Sequence, residues 1–355
     1  MKINTTKYNE PAGLNTRIAM RTFIPLSFAA VLFTTGGPAQ AGDAGHYVGG
    51  MMNIRDYFVP DPGFYAALYN YYYTTDRYND QDGNKVSTIT INHGPLGGTT
   101  LDASVNLDMY VFAPALIWVS PWKVLGAKYG AYVAPTFANA SIQNAVYNSR
   151  GLGVTGDEAT FAPGDMFVQP LWLGWTQPHW DVSAGYGFYA PVGQYNTVTL
   201  PGGRNTIPAS DNIGLGFWTQ QFQGGVAWYP WTNRATAVTL VLTYEYNTPQ
   251  QGTDVKYGQN LWLNWGISQY LPLTKDDKLL LEIGPAGYYE WQISDTQGSL
   301  TESPGARTQV SAIGGQIGLT YVPWNLVLNF RGFYEYYSQD RVQGASFSVN
   351  LIKKL

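Results

Sequence analysis

The chain contains no cysteine. A disulfide-stapled secreted scaffold, a thiolate metal site and a cysteine nucleophile are all excluded at once. Charge is scarce as well, with Asp, Glu, Lys and Arg making up 12% of the 355 residues. The net charge of −4 offers no basic surplus for nucleic acid. Beyond residue 41 no apolar run approaches the ~20 residues a spanning helix needs. Aromatic and small residues are abundant instead: 27 Tyr, 12 Trp, 15 Phe and 40 Gly. A helix-poor, aromatic-rich chain punctuated at intervals by Pro and Gly reads as all-β.

The first residues read as a targeting segment and not as part of the fold. Ile18 to Thr35 holds an apolar core, preceded by Lys2, Lys7, Arg17 and Arg21 and followed by Ala39-Gln40-Ala41. That is a secretory signal over residues 1–41, exported by a Sec-type route, with Met20 as an alternative start. Without those four bases and Glu10, 16 basic and 23 acidic residues remain, a net charge of −7. Residues 42–62 lack alternation and end in Pro60-Asp61-Pro62, so they read as an irregular periplasmic lead-in or partial plug. Residues 63–355 show no linker and form one continuous architecture.

The stretch Asp102 to Val119 sets the pattern for that architecture. Ala103, Val105, Leu107, Met109, Val111, Ala113, Ala115, Ile117 and Val119 share one parity, opposite Ser104, Asn106, Asp108 and Tyr110. A period of two means a strand with two different faces, and nine alternate apolar positions are enough to cross a membrane. Twelve such strands can be marked between Phe64 and Leu355. Their connections alternate between short turns, such as Gln177-Pro178-His179, and long polar loops at Asp76 to Leu101, Ala140 to Gly164 and Gly193 to Asn212. Hydrocarbon satisfies no backbone polar group, so a sheet that spans it must close on itself. The pattern predicts a closed antiparallel transmembrane β-barrel of about twelve strands, with short periplasmic turns and long extracellular loops. Trp118, Trp122, Trp180, Trp228, Trp231 and Trp324 fall near strand ends, where interfacial girdles sit.

Several short stretches resemble a known family. They are Gly45-His46-Tyr47, Pro62-Gly63-Phe64-Tyr65, Asn70-Tyr71-Tyr72-Tyr73, Gly164-Asp165, Gln169-Pro170 and Pro191-Val192-Gly193-Gln194-Tyr195. Further on come Asn212-Ile213-Gly214, Trp218, Glu245-Tyr246-Asn247, Gly287-Tyr288-Tyr289, Gln292, Arg331 and Glu335. In these the chain resembles the outer-membrane proteins labelled for the meta-cleavage pathway of phenol degradation. The resemblance implies a barrel in the outer membrane and passage of small aromatic or other apolar compounds. It carries over no catalytic residues. The chain departs from outer-membrane habit at its end, Lys353-Lys354-Leu355, where an aromatic residue is usual.

Other motifs are weaker. Gly151-Leu-Gly-Val-Thr-Gly156 matches a dinucleotide fingerprint by letter, but no helix pattern follows it. Asp80, Asp82 and Asn84 resemble part of a calcium loop without its closing Glu, so a polar loop tip is the better reading. His46, His93 and His179 read as solvated or hydrogen-bonded, and no nucleophile motif accompanies them. If the apolar parity faces lipid, Leu107 and Val111 point outward, and Asn106, Asp108, Tyr110, Glu245, Glu282, Glu290, Arg331 and Glu335 face the lumen. They either line a conduit or brace the wall, with Arg331 and Glu335 as a pair four residues apart. About twelve strands fall between a filled barrel of ~8 and an open pore of ~16. The expected protein is a passive outer-membrane channel without cofactor or enzymatic activity. Its partners are membrane lipid, a small-molecule substrate and the outer-membrane assembly machinery. A structural or adhesive barrel, and a lipid-acting barrel enzyme, are the alternatives.

Overall fold

A computed structural model describes residues 45–91, 99–147, 153–199, 206–209, 212–298 and 307–355. The proposed signal, Met20, His93 and Gly151 lie outside them. Twelve antiparallel strands form the wall: β1 (Gly63–Thr75), β2 (Thr99–Val124), β3 (Ala127–Ala134), β4 (Met166–Thr176), β5 (Trp180–Ala190) and β6 (Thr219–Trp228), then β7 (Thr236–Asn247), β8 (Asn260–Pro272), β9 (Leu279–Gln292), β10 (Gln309–Tyr321), β11 (Leu326–Gln339) and β12 (Ala345–Lys354). Each pairs with its neighbour, and β1 closes the sheet by pairing with both β2 and β12. No edge is left in the ring, as hydrocarbon requires.

Short turns gather at one end. Leu125 and Gly126, both at positive φ, reverse β2 into β3, so Ser120-Pro121-Trp122 belongs to the strand and is not the turn. The longer connections gather at the other end. One of them is not a loop: residues 140–164 were expected to be irregular, yet Phe137–Tyr147 and Gly153–Pro163 form a hairpin that continues β3 and β4. Its first strand pairs with the upper half of β2. At 26 residues β2 is far longer than the ~9–11 a tilted spanning strand needs, so its upper half rises beyond the wall. Gly153 to Gly156 lies on this hairpin, strand to strand, where no helix follows to hold a nucleotide.

The faces of β2 are opposite to the expectation. Ala113, Ala115, Ile117 and Val119 point inward and pack with Val59, Tyr69 and Trp172. Leu107 and Val111 share that inward parity, while Leu116 on the outer parity is 51% exposed. The rule that the apolar parity faces lipid assumes a wet lumen, and this lumen is filled with protein.

Candidate functional site: the occupied lumen

What fills the lumen is residues 45–62. This stretch has no strand partners, so its backbone polar groups must find side chains. The inward faces of the strands supply them. Tyr47 N–H donates to Glu245 Oε1 at 2.9 Å and Gly50 N–H to Asn264 Oδ1 at 3.2 Å. Ile54 N–H donates to Gln316 Oε1 at 3.0 Å, and Asn350 Nδ2 donates to Met51 O at 2.8 Å. Arg331 Nη1 reaches Gly50 O at 2.8 Å.

Arg55 anchors the lower part. Its Nε donates to Ser268 Oγ at 2.7 Å and Glu282 Oε1 at 3.1 Å, and its terminal nitrogens donate to the carbonyls of Arg234 and Ala235. Gln316 Nε2 holds the other Glu282 oxygen at 2.7 Å. Where the segment leaves the short-turn end, Lys128 Nζ donates to Asp61 Oδ1 at 2.8 Å. That ammonium holds the exposed Asp61 carboxyl below the usual carboxylate range.

Apolar contacts follow the same logic of notch and knob. Three inward glycines on different strands face segment side chains: Gly174 faces Val59, Gly225 faces Phe58 and Gly266 faces Ile54. A Cβ on Gly266 would stand 2.8 Å from Ile54 Cγ1, and one on Gly174 would stand 2.7 Å from Val59 Cβ. Tyr47 and Tyr57 join hydroxyls at 3.0 Å in the middle. One gap between segment and wall is lined by Ile54, Tyr57, Thr239, Val241, Asn264 and Arg331, and it has room for about one water molecule.

The expected site residues therefore fall into three groups. Glu245, Glu282 and Arg331 face inward and bind the segment, a role the strand pattern did not suggest. Glu290 and Glu335 also face inward, but their cation is Arg341, which bonds to Glu290 and lies 3.5 Å from Glu335. Arg331 does not pair with Glu335. Tyr73 and Tyr288 hydroxyls and Gly344 N–H donate to Glu335. Asn106, Asp108 and Tyr110 form the third group, standing on the outer parity of β2 and exposed. Tyr72 OH donates to Asp108 Oδ1 at 2.7 Å and Tyr110 OH to Asn70 Oδ1 at 2.7 Å, both on the outer surface near the long-loop end. Asp80 Oδ1 accepts the N–H groups of Asp82 and Asn84, which makes it the cap of its own turn. No cluster of three His, Asp or Glu able to hold a metal occurs among the described residues.

His46, expected to be solvated or hydrogen-bonded, stands near the start of the lumenal segment. Its Nε2 lies 2.8 Å from Asp165 Oδ2 and its Nδ1 2.7 Å from Thr219 Oγ1. A hydroxyl, an imidazole and a carboxylate in line resemble a hydrolytic triad, but Thr219 is fully buried and gives its proton to Asn247 Oδ1. Gly193 and Gly214 pack backbone to backbone beside Asp165. The scattered stretches around residues 45, 164, 193, 214 and 245 thus meet at one place, and their coming together is the signal that a single strand cannot show.

Fold and site together define a closed transmembrane β-barrel whose interior is occupied by its own N-terminal segment. The sequence matches the family described as "Putative MetA-pathway of phenol degradation" over residues 75–351, and the chain belongs to that family. Among solved structures it is similar to an outer membrane channel from Pseudomonas putida F1, with 14% identity, a TM-score of 0.58, and coverage of 86% of this chain and 100% of that one. More distant likenesses are the β domain of the Bordetella autotransporter BrkA (12% identity, TM-score 0.40, 83% and 100% covered) and the CymD monoaromatic hydrocarbon channel (9%, 0.36, 91% and 98%). No curated protein matches the sequence.

Proposed function

We propose that the protein is a passive outer-membrane channel for small apolar or aromatic compounds, closed at rest by residues 45–62. One observation carries the reading: the inward side chains form a fitted seat for a segment that is not part of the wall. Moving the segment would uncover Tyr69, Tyr132, Trp172, Trp262, Tyr288 and Phe333, an aromatic lining beside a few fixed charges. The family's phenol-degradation label agrees with this class of cargo. Export by a Sec-type signal over residues 1–41 and insertion by the outer-membrane assembly machinery complete the route.

The filled lumen also favours a second reading, a structural barrel that carries nothing. Uptake separates the two. A strain lacking the protein should take up small aromatic compounds more slowly at low concentration, and the wild-type chain should restore the rate. Unchanged entry across a broad panel of such compounds would leave the structural barrel as the better account.

A further inference from the structure

We propose that His46 is a proton-controlled latch on the outer end of the lumenal segment. The ring sits in a buried chain of short contacts whose protons can be counted. His46 and Asp165 side chains are 5% and 3% exposed. The imidazole stacks on Tyr189 at 4.6 Å and meets Phe217 edge-on at 5.0 Å. Asp165 Oδ1 accepts Gly193 N–H at 2.9 Å, and Oδ2 accepts Leu215 N–H at 2.9 Å. Both Asp165 oxygens are already turned to backbone donors as acceptors, so His46 Nε2 brings its own proton to the 2.8 Å contact.

The other nitrogen is fixed by a second chain. Asn247 Nδ2 donates to Gly258 O at 2.8 Å, which orients its Oδ1 toward Thr219 as an acceptor. Thr219 Oγ1 lies 2.6 Å from that Oδ1 and spends its single proton there. The 2.7 Å contact between Thr219 Oγ1 and His46 Nδ1 then needs a proton from the ring. Both nitrogens are donors, and the docked ring is an imidazolium. Burial, the largest effect, draws the His46 pKa below its ordinary value against the pull of Asp165; the two fixed acceptors, Thr219 Oγ1 and Asp165 Oδ2, are both satisfied only by the charged ring and outweigh it. The titratable groups facing the ring are Asp165 and Tyr189, with Glu245 one residue along at Tyr47 N–H.

The sign follows. The docked ring keeps a proton that a free imidazole, with an ordinary pKa near ~6.5, sheds at neutral pH. The latch is complete below that value and is lost as pH rises through the docked pKa. One linked proton changes the ratio of docked to released segment by at most about tenfold per pH unit. The latch rests on the reading that this segment moves when the channel opens, yet its movement can be measured whether or not anything is carried.

Because the chain lacks cysteine, Val48→Cys accepts a single spin label in the full-length protein. Between pH 5.5 and 8.5 the mobile fraction of the label should grow several-fold, and with His46→Gln added it should not depend on pH. A flat profile with His46 present, or growth toward acid, overturns the latch. Thr219→Val removes the acceptor of Nδ1 but leaves Asp165, and should move the transition to lower pH; an unmoved transition counts against the proposal. In protein labelled with 15N-histidine, both His46 nitrogens should give protonated-type shifts at pH 6. A single unprotonated nitrogen there refutes the imidazolium even if the segment never moves.

Discussion

Arg55 joins the lumenal segment to two strands and a turn at once, and its loss leaves Glu282 buried with Gln316 beside it. Breaking a buried pair costs about 3–5 kcal/mol, less here because Arg55 is 17% exposed. Arg55→Ala should loosen the lower segment and raise the conductance of the protein in a planar bilayer. Lysine cannot reproduce the fork of contacts to Ser268, Glu282 and two carbonyls, so Arg55→Lys should rescue only partly. Equal conductance in all three proteins would show that Arg55 does not hold the closure. On the outer surface, Ile317 is 58% exposed at mid-strand. Ile317→Arg should cost ~2–4 kcal/mol and lower the heat-resistant folded fraction on gels, whereas Asp108→Arg near the rim should cost ~0–1 kcal/mol. Since Asp108 points away from the lumen, its reversal should leave ion preference unchanged. A shift toward anions would return Asp108 to the interior.

At the scale of elements, the lumenal segment is held by shape as much as by charge. Gly266 leaves the space in which Ile54 sits, and Gly266→Ala would force a methyl to within 2.8 Å of Ile54 Cγ1. The wall strand is tied to both neighbours and the segment is not, so the segment should yield. Gly266→Ala should therefore raise conductance while the barrel keeps its resistance to heat, and Ile54→Ala in the same chain should bring it back toward wild type. Loss of the folded barrel in Gly266→Ala, with no rescue by Ile54→Ala, would show that the notch serves the wall instead. The period of two made every one of the twelve wall strands legible, because alternation is a local property. The hairpin at 137–163 is not legible in the sequence because its Asn, Gly and Thr mimic loop composition, while its pairing partner is the distant upper half of β2.

At the scale of the whole molecule, the difference between the two ends gives an orientation. With short turns in the periplasm, an epitope tag at Asp82 should be reachable on intact cells and one at Asp276 should not. Labelling of the Asp276 tag on intact cells would invert the barrel. The same orientation puts the His46 end of the segment toward the outside and the Asp61 end toward the periplasm, so the latch would sense external pH. Of the lumen, the sequence made the inward charges of β7, β9 and β11 visible as polar residues in apolar strands, but not the partner they hold.

The sequence alone determined that this chain is a closed barrel of twelve strands with unequal ends. Those properties follow from alternation along each strand and from the rule that a membrane leaves no backbone group unpaired. Which face of β2 turns inward, and what the buried charges do, was decided only by the tertiary structure. An irregular segment has no periodicity to announce where it lies, and the contacts that seat it join residues far apart: 119 positions separate His46 from Asp165 and 281 separate Gly50 from Arg331. Once that segment occupies the lumen, the interior ceases to be water, and the apolar parity of β2 can turn toward it as readily as toward lipid.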